Sequence, residues 1–444
     1  MKTADIQALF SRASLWQAWL DVEAALAQAQ AELGMIPAAA AEEIARRASL
    51  EAVGEEALAA DIARSKAPIA SLAKALAAVC EGDAGGYVHW GATTQNVMQT
   101  AITIQMRRAH EAFSARFDEM LAKLATLAEE HAETLMAGRT NERHALPITF
   151  GFKVAGWIEE FMRHRERFAG AEPRVFASLW GGAVGAMHAF GEQGPELNRR
   201  LSSRLGLTPL AVPSRSSNDY IVEYFLLLAL FSASCSKVAR ELYGLMADEI
   251  AEVYERQDAA VVGSSTMPNK VNPKVAVHAI AVAARLRTLT PLALEAMQPA
   301  HEGDAASNQM LYSLIEQGCP LAYELASSMD ELLGCLGVAA RNMKRNLDLS
   351  GQSIAAENAM MVLAPAIGRS QAYAALKRAI KASSQQGASV LDALLADDAV
   401  RGAVTAETLR KAIDPANYTG QSAAMARAMA AAARAAARPT PTRS

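Results

Sequence analysis

The sequence is poor in cysteine, and its few cysteines are badly spaced for crosslinks or metal binding. Its 444 residues contain four, which lie far apart and form no CxxC pair: Cys80, Cys235, Cys319 and Cys335. This spacing disfavours a zinc site and argues more strongly against a disulfide framework. Scarce cysteine without a pairing pattern is typical of a reducing compartment, so we expect a cytoplasmic location.

A basic surface and a membrane-spanning run are also missing. The formal net charge is −4 at pH 7, so the chain lacks the positive face that a nucleic-acid partner requires. The most apolar run, YFLLLALFSA at 224–233, is too short to cross a bilayer and predicts a buried helix. Asp5 stands where a signal peptide needs its apolar core, so we expect no export signal. We therefore expect no nucleic-acid or membrane partner.

Alternating strand patterns are absent, and helical patterns fill the chain instead. Proline and glycine are sparse and cluster between long segments with apolar residues at helical spacing. Several segments exceed 30 residues, whereas an average helix has about 11–12. Long sequential helices with short connections predict an elongated up-and-down bundle. The predicted helices are 14–33, 42–60, 68–79, 100–136, 150–168, 221–253, 275–297, 310–346, 355–383 and 424–437.

Some of these helices are apolar on more than one face. The segment 221–233 is the strongest case. A surface of this kind is buried when bundles of neighbouring chains pack together, so we expect a homo-oligomer.

Three polar segments interrupt the helices. They are HWGATTQN at 89–96, GRTNERHALP at 138–147 and GSSTMPNKVNP at 263–273, and each contains glycine and hydroxyl side chains. Thr93 and Thr94 stand just before a predicted helix, where hydroxyls and free backbone N–H groups favour a carboxylate. Taken singly, each segment is also explained as a helix cap.

Together the three segments resemble those of one enzyme family. GSSTMPNKVNP matches the serine loop of the fumarase/aspartase superfamily, with GSS, MP, K and NP in register. Further segments resemble the branch that contains adenylosuccinate lyase and 3-carboxy-cis,cis-muconate cycloisomerase, and they are nearest to the cycloisomerase. These segments are LDVEAALAQAQAELGMIPAAAAEEI, HWGATTQNVMQTA, HALPITFGFKVAGW, GGAVGAM and ENAMMVLAPAIGRSQA.

The resemblance implies an all-α fold and a shared active site. It implies an N-terminal helical domain (1–99), a central long-helix bundle that carries the serine loop (100–349) and a C-terminal helical domain (350–444). The central bundles would assemble into a homotetramer with a core of about twenty helices. Each active site would collect loops from three subunits, with the serine loop as a mobile lid. No metal or organic cofactor is implied.

The resemblance also assigns roles to individual residues. Enzymes of this family remove a proton from carbon next to a carboxylate, which requires positive or hydrogen-bonding groups around the developing enediolate. Ser264 matches the base, and it needs nearby donors and Lys270 to stabilise its alkoxide. Lys270 and Asn272 also match carboxylate ligands. The alternative for this loop is a surface segment with a solvated lysine. Further expected carboxylate ligands are Thr93, Thr94 and Thr140.

Two histidines fall in register with the family. His89 matches a histidine near the substrate, although a single histidine here is equally well explained as a structural hydrogen-bonding group. His144 has a less defined place, and we expect it to support residues that contact the substrate.

The chain also departs from the family at the leaving group. Many members pair a histidine at the position of Asn141 with a glutamate at the position of Val277, and both are absent here. Loss of both is consistent, because an unpaired buried glutamate would be costly. Asn141 cannot donate a catalytic proton, but its amide can hydrogen-bond an anion. This predicts a leaving group that departs as a stable anion, such as the carboxylate of a lactone.

Other departures concern substrate recognition. The branch usually has arginine at the position of Asn218, and Arg215, three residues earlier, is a candidate for the missing charge. Asn96 and Gln99 stand where the branch usually has aspartate. Together with ARSKAP at 63–68, which replaces a histidine-containing motif, these changes disfavour adenylosuccinate as substrate.

The resulting hypothesis is β-elimination, or the reverse addition, on a small di- or tricarboxylate through an enediolate, most like the cycloisomerase. The first alternative is a fumarate-releasing lyase that acts on a substituted succinate with a good anionic leaving group. An inactive helical scaffold and a helical adaptor for other proteins are further alternatives.

Overall fold

The structure is a computed structural model that describes residues 3–257, 266–267 and 270–436, and helices dominate it. In chain order the α-helices are α1 (Thr3–Leu9), α2 (Arg12–Glu32), α3 (Ala38–Arg47), α4 (Leu50–Val53), α5 (Glu55–Ser65), α6 (Pro68–Val79), α7 (Thr94–Glu130), α8 (Phe150–Val175), α9 (Gly194–Leu205), α10 (Asp219–Leu245), α11 (Val275–Arg287), α12 (Thr290–Ala296), α13 (Ala305–Cys335), α14 (Ala340–Leu349), α15 (Ala356–Ile367), α16 (Arg369–Gln386), α17 (Val390–Ala396), α18 (Ala406–Ala412) and α19 (Ser422–Ala436).

Short strands form three two-stranded sheets in the described part of the chain. Antiparallel pairs join β1 (Leu135–Thr140) with β2 (Arg143–Thr149), and β5 (Val253–Glu255) with β6 (Leu336–Val338). A parallel pair joins β3 (Ala177–Ser178) with β4 (Thr208–Pro209). The helices therefore carry the fold, as the absence of strand patterns predicts.

The chain divides into two compact units, each made of three segments. The first unit contains Met1–Phe117, Arg163–Ser236 and Ile280–Ser327, and the second contains Asp118–Met162, Lys237–Ala279 and Ser328–Ser444. The predicted domain boundaries after residues 99 and 349 stay predictions.

Each unit has its own hydrophobic core. In the first, buried aromatic rings pack edge to face, and the centroids of Phe117 and Phe231 are 4.9 Å apart. In the second, helices α15 to α18 enclose an aliphatic cluster that includes Leu363, Leu394 and Leu409, each 0% exposed. These cores fix the helices that position the polar segments.

Several long helical patterns break where capping chemistry allows a turn. The pattern at 42–60 predicts one helix, but the chain forms α3, α4 and α5 there, with Ser49 capping α4 and Gly54 at φ 77° between α4 and α5. Gly368, at φ 80°, likewise divides the predicted helix 355–383 into α15 and α16. Apolar residues at helical spacing identify the buried face of a helix, but they do not show where a capping residue ends it.

The segment GRTNERHALP is a β-hairpin, which corrects the expectation that no strands interrupt the helices. Strand β1 pairs with β2, and Asn141 and Glu142 form the two-residue turn with φ of 51° and 60°. Positive φ at both central positions is typical of a type I′ turn, which favours asparagine. The strand before this turn is short and directly follows a long helical pattern. The sequence analysis therefore missed the hairpin.

Two helical segments, Asp219–Leu245 and Val275–Ala296, are long and apolar enough to cross a membrane by length and composition alone. In the first, 61% of the apolar window is buried inside the protein. Core helices of globular proteins pass the same test.

Candidate active site

The first polar segment ends at the N-terminus of the longest helix. Helix α7 begins at Thr94, and the carbonyl of Thr93 accepts hydrogen bonds from the N–H groups of Asn96 (3.0 Å) and Val97 (3.4 Å). Thr94 is exposed and Thr93 is half-exposed. Two hydroxyls therefore accompany the free N–H groups of a helix N-terminus, which together favour a carboxylate.

This segment packs closely against the loop GGAVGAMHAF at 181–190. A Cβ at Gly91, whose φ is 74°, would lie 2.4 Å from a ring carbon of Phe190. The N–H of Gly182 donates to Oδ1 of Asn96 at 3.0 Å. Asn96 thus holds the two loops together through its side-chain oxygen, which an aspartate would also supply.

Arg215 contacts the N-terminal turn of α7, and its place as the compensating charge for Asn218 stays a prediction. Its Nε donates to Oε1 of Gln95 at 2.7 Å, and Nε2 of Gln95 donates to the carbonyl of Arg215 at 3.1 Å. A further guanidinium N–H donates to the carbonyl of Ala183. The half-buried guanidinium is therefore fixed next to the helix that carries Thr94.

No carboxylate within the described residues forms an ion pair with Arg215. Burial lowers the pKa of its guanidinium, but an arginine still carries its charge at neutral pH. Gly303 leaves room for this group, since a Cβ there would lie 3.0 Å from Nη2. Arg215 therefore offers an uncompensated positive charge to an anion.

A buried network of uncharged amides supports Arg215. Gln95, 3% exposed, donates to Oε1 of Gln99 at 2.9 Å and to Oδ1 of Asn308 at 3.0 Å. Gln99 in turn donates to the hydroxyl of Tyr220 at 2.9 Å and to Oδ1 of Asn218 at 3.4 Å. Two positions where the chain departs from the family, Gln99 and Asn218, thus contact each other.

His89 forms a hydrogen bond that the sequence does not reveal. Its Nδ1 lies 2.6 Å from Oε1 of Glu23, a residue of α2 that is 1% exposed. Burial alone would lower the pKa of His89, but the hydrogen bond and charge of Glu23 outweigh burial and raise it. A glutamate within an apolar helical pattern was the available signal, since such a residue needs a partner when buried.

The second unit carries the hairpin residues. Thr140 and Asn141 are exposed at its tip. Arg139 forms two hydrogen bonds, of 2.6 and 3.0 Å, with the fully buried Glu252, which anchors the base of the turn. Asn141 borders a cleft of 670 Å³ whose lining includes Lys153, and the latter is paired with Glu241.

The serine loop lies partly outside the described residues, and Ser264 is among those outside. Lys270 and Asn272 are exposed and border a cleft of 560 Å³ in the second unit. This cleft and the Asn141 cleft share Gly244 of α10 in their linings. Glu255 accepts the N–H groups of Lys274 and Ala276, both at 2.8 Å, and so fixes the start of α11 behind the loop.

The structure therefore places the predicted residues in two groups. The first unit holds His89, Thr93, Thr94 and Arg215, and the second holds Thr140, Asn141, Lys270 and Asn272. His144 bonds Ser350 through Nδ1 at 2.7 Å in the second unit, consistent with a supporting place. No cluster of three or more metal-binding side chains occurs among residues 3–257, 266–267 and 270–436.

Comparison with known proteins identifies the family. Residues 2–287 match the family model described as lyase, and residues 352–429 match that of the adenylosuccinate lyase C-terminus. The chain belongs to the fumarase/aspartase superfamily. It is 37% identical to the adenylosuccinate lyase of Methanothermobacter thermautotrophicus, over 95% of each chain.

Two further relatives carry different names. The chain is 35% identical to the N-acetyl-S-(2-succino)cysteine lyase of Dickeya dadantii, over 95% of this chain and 92% of that protein. It is 30% identical to the solved 3-carboxy-cis,cis-muconate lactonizing enzyme of Pseudomonas putida, with a TM-score of 0.87 over 97% of both chains. The all-α fold and the membership in this superfamily of lyases and cycloisomerases are thereby confirmed.

Proposed function

We propose that this enzyme catalyses β-elimination, or the reverse addition, on a small di- or tricarboxylate through an enediolate, most like 3-carboxy-cis,cis-muconate cycloisomerase. The observation that carries this proposal is Arg215, which has no carboxylate partner among the described residues and is fixed by Gln95 beside the N-terminus of α7. A guanidinium, two threonine hydroxyls and free N–H groups together suit a carboxylate whose negative charge grows during proton removal.

The proposed base and the residues that assist it are assigned from the family resemblance. Ser264 is proposed to remove the proton, and Lys270 to stabilise its alkoxide and a substrate carboxylate. Lys270 forms no ion pair with any residue that the structure describes, so its charge is available. Asn272 and Thr140 are proposed as further carboxylate ligands.

The leaving group is proposed to depart as a stable anion. Asn141 occupies the hairpin turn, where its amide is exposed and offers a hydrogen-bond donor but no acidic proton. Val277 is 46% exposed and offers no partner for an acid. A carboxylate released from a lactone ring needs no strong acid, in contrast to an amine or hydroxide.

The second candidate is a fumarate-releasing lyase on a succinate with a good anionic leaving group. The 35% identity to a protein named N-acetyl-S-(2-succino)cysteine lyase favours it, because a thiolate is also a weakly basic anion. Asn141 is compatible with this reaction for the same reason.

The active enzyme is proposed to be a homotetramer whose sites combine segments from three subunits. Exposed apolar side chains on α10 support this proposal: Leu226 is 36% and Leu230 is 51% exposed. The two leucines are four residues apart and so share one face of α10, which a helix of another subunit would cover in the proposed tetramer.

A spectrophotometric panel tests the function. Purified protein is mixed separately with 3-carboxy-cis,cis-muconate, N-acetyl-S-(2-succino)cysteine and adenylosuccinate. Loss of the diene absorbance reports cycloisomerisation, and gain of fumarate absorbance reports elimination. We expect the diene to be lost with wild-type enzyme, and the rate to fall about 1,000-fold in Ser264→Ala, the size expected for loss of a general base.

The outcomes separate the candidates. Fumarate release from the succinated thiol, without loss of the diene, would replace the first proposal by the second. Activity that persists in Ser264→Ala would remove Ser264 as the base. No turnover of any substrate, with wild type and Ser264→Ala alike, would favour the inactive scaffold.

A further inference from the structure

We propose that Glu23 is a positioning residue that holds His89 as an imidazolium, and that this imidazolium binds a carboxylate of the substrate beside the N-terminus of α7. This inference rests on the proposed function, since it assumes an anionic substrate at that place. It assigns a role to Glu23, which lies outside the three polar segments.

The first support is the burial of Glu23. Its side chain is 1% exposed, and one oxygen lies 2.6 Å from Nδ1 of His89. The other oxygen, Oε2, has no hydrogen-bond partner among the described residues. A buried carboxylate with one partner is costly unless that partner is charged, so the site favours the protonated form of His89.

The second support is the conformation of His89 itself. Its φ is 59°, in the left-handed region that non-glycine residues rarely adopt. The carbonyl of His89 accepts the N–H of Ala92 at 3.2 Å, which closes a turn directly before Thr93. The surroundings thus force a costly backbone conformation on a histidine at the start of the carboxylate-binding segment, and strain of this kind clusters at ligand sites.

The third support is that Nδ1 is the nitrogen engaged by Glu23. A hydrogen bond at Nδ1 leaves Nε2 to face a ligand, and the imidazole is 23% exposed. Burial lowers the pKa of His89, but the hydrogen bond and charge of Glu23 outweigh burial and raise it, which favours the protonated ring. His89 then supplies a second positive charge in the unit that contains Arg215.

The other charged side chains considered on helices α2 and α3 have partners other than His89. On α2, Asp21 accepts from Gln17, and Glu32 pairs with Arg200 and Arg204 of α9. On α3, Glu43 pairs with Arg46 and Arg47, while Arg12, at the start of α2, pairs with Glu55 of α5. The loop that packs on Gly91 carries His188, with Glu192 just after it, and both are exposed. Glu23 is the charged side chain that acts on His89.

Helix α2 offers a matched control. Gln30, two turns after Glu23 on the same face, is 0% exposed and donates to the carbonyl of Trp90 at 2.8 Å. It anchors the same segment as Glu23, but its amide forms no hydrogen bond with the imidazole. Gln30→Leu therefore loosens the segment without changing the partner of His89.

The first measurement is an NMR titration of ¹³C-histidine-labelled, full-length enzyme, with His89→Gln used to assign the His89 signal. We expect the apparent pKa of His89 to lie above the ordinary histidine value in wild type, and to fall in Glu23→Gln. Gln30→Leu should keep the wild-type value. An unchanged His89 titration in Glu23→Gln would overturn the proposal, because Glu23 would then be only structural.

The second measurement is calorimetric binding of propane-1,2,3-tricarboxylate, a tricarboxylate without a leaving group. We expect wild-type affinity to fall as the pH rises through the pKa of His89, and this fall to occur at lower pH in Glu23→Gln. His89→Gln should bind about tenfold more weakly at neutral pH, as for loss of one charge-assisted hydrogen bond. The carboxylate role would be overturned if the tricarboxylate did not bind at any pH. It would also be overturned if Glu23→Gln and His89→Gln bound it with the wild-type affinity and pH dependence.

These readouts do not require turnover. If the substrate panel fails while the titration and binding results hold, the proposed reaction is wrong and the Glu23–His89 pair still stands. If turnover is found but His89→Gln changes kcat and leaves KM and binding unchanged, His89 is not the carboxylate anchor.

Discussion

At the scale of single residues, the site around Arg215 is distinguished by the absence of counter-charge. Gln95 bonds both the guanidinium and the carbonyl of Arg215 without cancelling the positive charge, and it is itself held by the amides of Gln99 and Asn308. A carboxylate in place of Gln95 would form an ion pair inside the protein. The neutral network therefore leaves the charge of Arg215 uncompensated, and on the proposal above this charge is available to a substrate carboxylate.

Gln95→Glu tests this argument. The new carboxylate would stand at the 2.7 Å contact with Nε of Arg215 and compensate its charge. We expect the Kd for propane-1,2,3-tricarboxylate to rise about tenfold, or about 1.4 kcal/mol, when measured by calorimetry. Thermal unfolding is followed in parallel, because the new carboxylate also faces Oε1 of Gln99.

Gln95→Met is the control without added charge, since it loses the hydrogen bonds donated by Nε2, as Gln95→Glu does, and also the bond to Nε of Arg215. It should weaken binding less than Gln95→Glu does. Equal effects of the two variants would mean that Gln95 only holds Arg215 in place and that charge compensation is irrelevant.

At the scale of elements, the hairpin gives Asn141 a structural role beside the proposed functional one. Its φ of 51° is easily adopted by asparagine and glycine but not by alanine. Asparagine at this position therefore suits the turn, independently of its proposed contact with the leaving group. Substitutions that keep the turn can separate the two roles.

Asn141→Gly keeps the turn and removes the amide, whereas Asn141→Ala removes both. We expect denaturant unfolding to show Asn141→Ala about 1 kcal/mol less stable than wild type, and Asn141→Gly close to wild type. If the amide binds the leaving anion, kcat falls in both variants. Wild-type kcat in Asn141→Gly would leave only the turn role.

The same scale shows what the sequence could predict. Helix α6 matches its predicted range, and α2 and α19 lie within two residues of theirs at both ends, because apolar periodicity is a local property. Helices α8 and α10 begin within two residues of the predicted start but end seven residues later and eight residues earlier than predicted, and α7 lies six residues before its predicted range at both ends. The helix breaks at Ser49, Gly54 and Gly368 depend on a side-chain cap and on positive φ. Single serine and glycine residues signal these features only weakly in a sequence. The Glu23–His89 and Gln99–Asn218 contacts join residues 66 and 119 positions apart, and no local pattern reports such pairs.

At the scale of the whole molecule, exposed apolar side chains on α10 are where the proposed partner chains would pack. Leu226 and Leu230 are four residues apart on α10 and so share one face. Glutamates at these positions would place charge in a desolvated contact if a tetramer forms there. On the proposal above, the loss of the tetramer would also dismantle the shared active sites.

Leu230→Glu tests this assembly by size-exclusion chromatography with light scattering. Wild-type enzyme is expected at four times the mass of one chain, and Leu230→Glu at a smaller mass with at least about tenfold lower turnover, since burying one unpaired charge costs more than the 1.4 kcal/mol that a factor of ten requires. Met425→Glu, which changes a 49% exposed side chain of α19, is the control and should keep the wild-type mass. A wild-type enzyme that turns over substrate as a monomer would contradict the proposal that three subunits share each site.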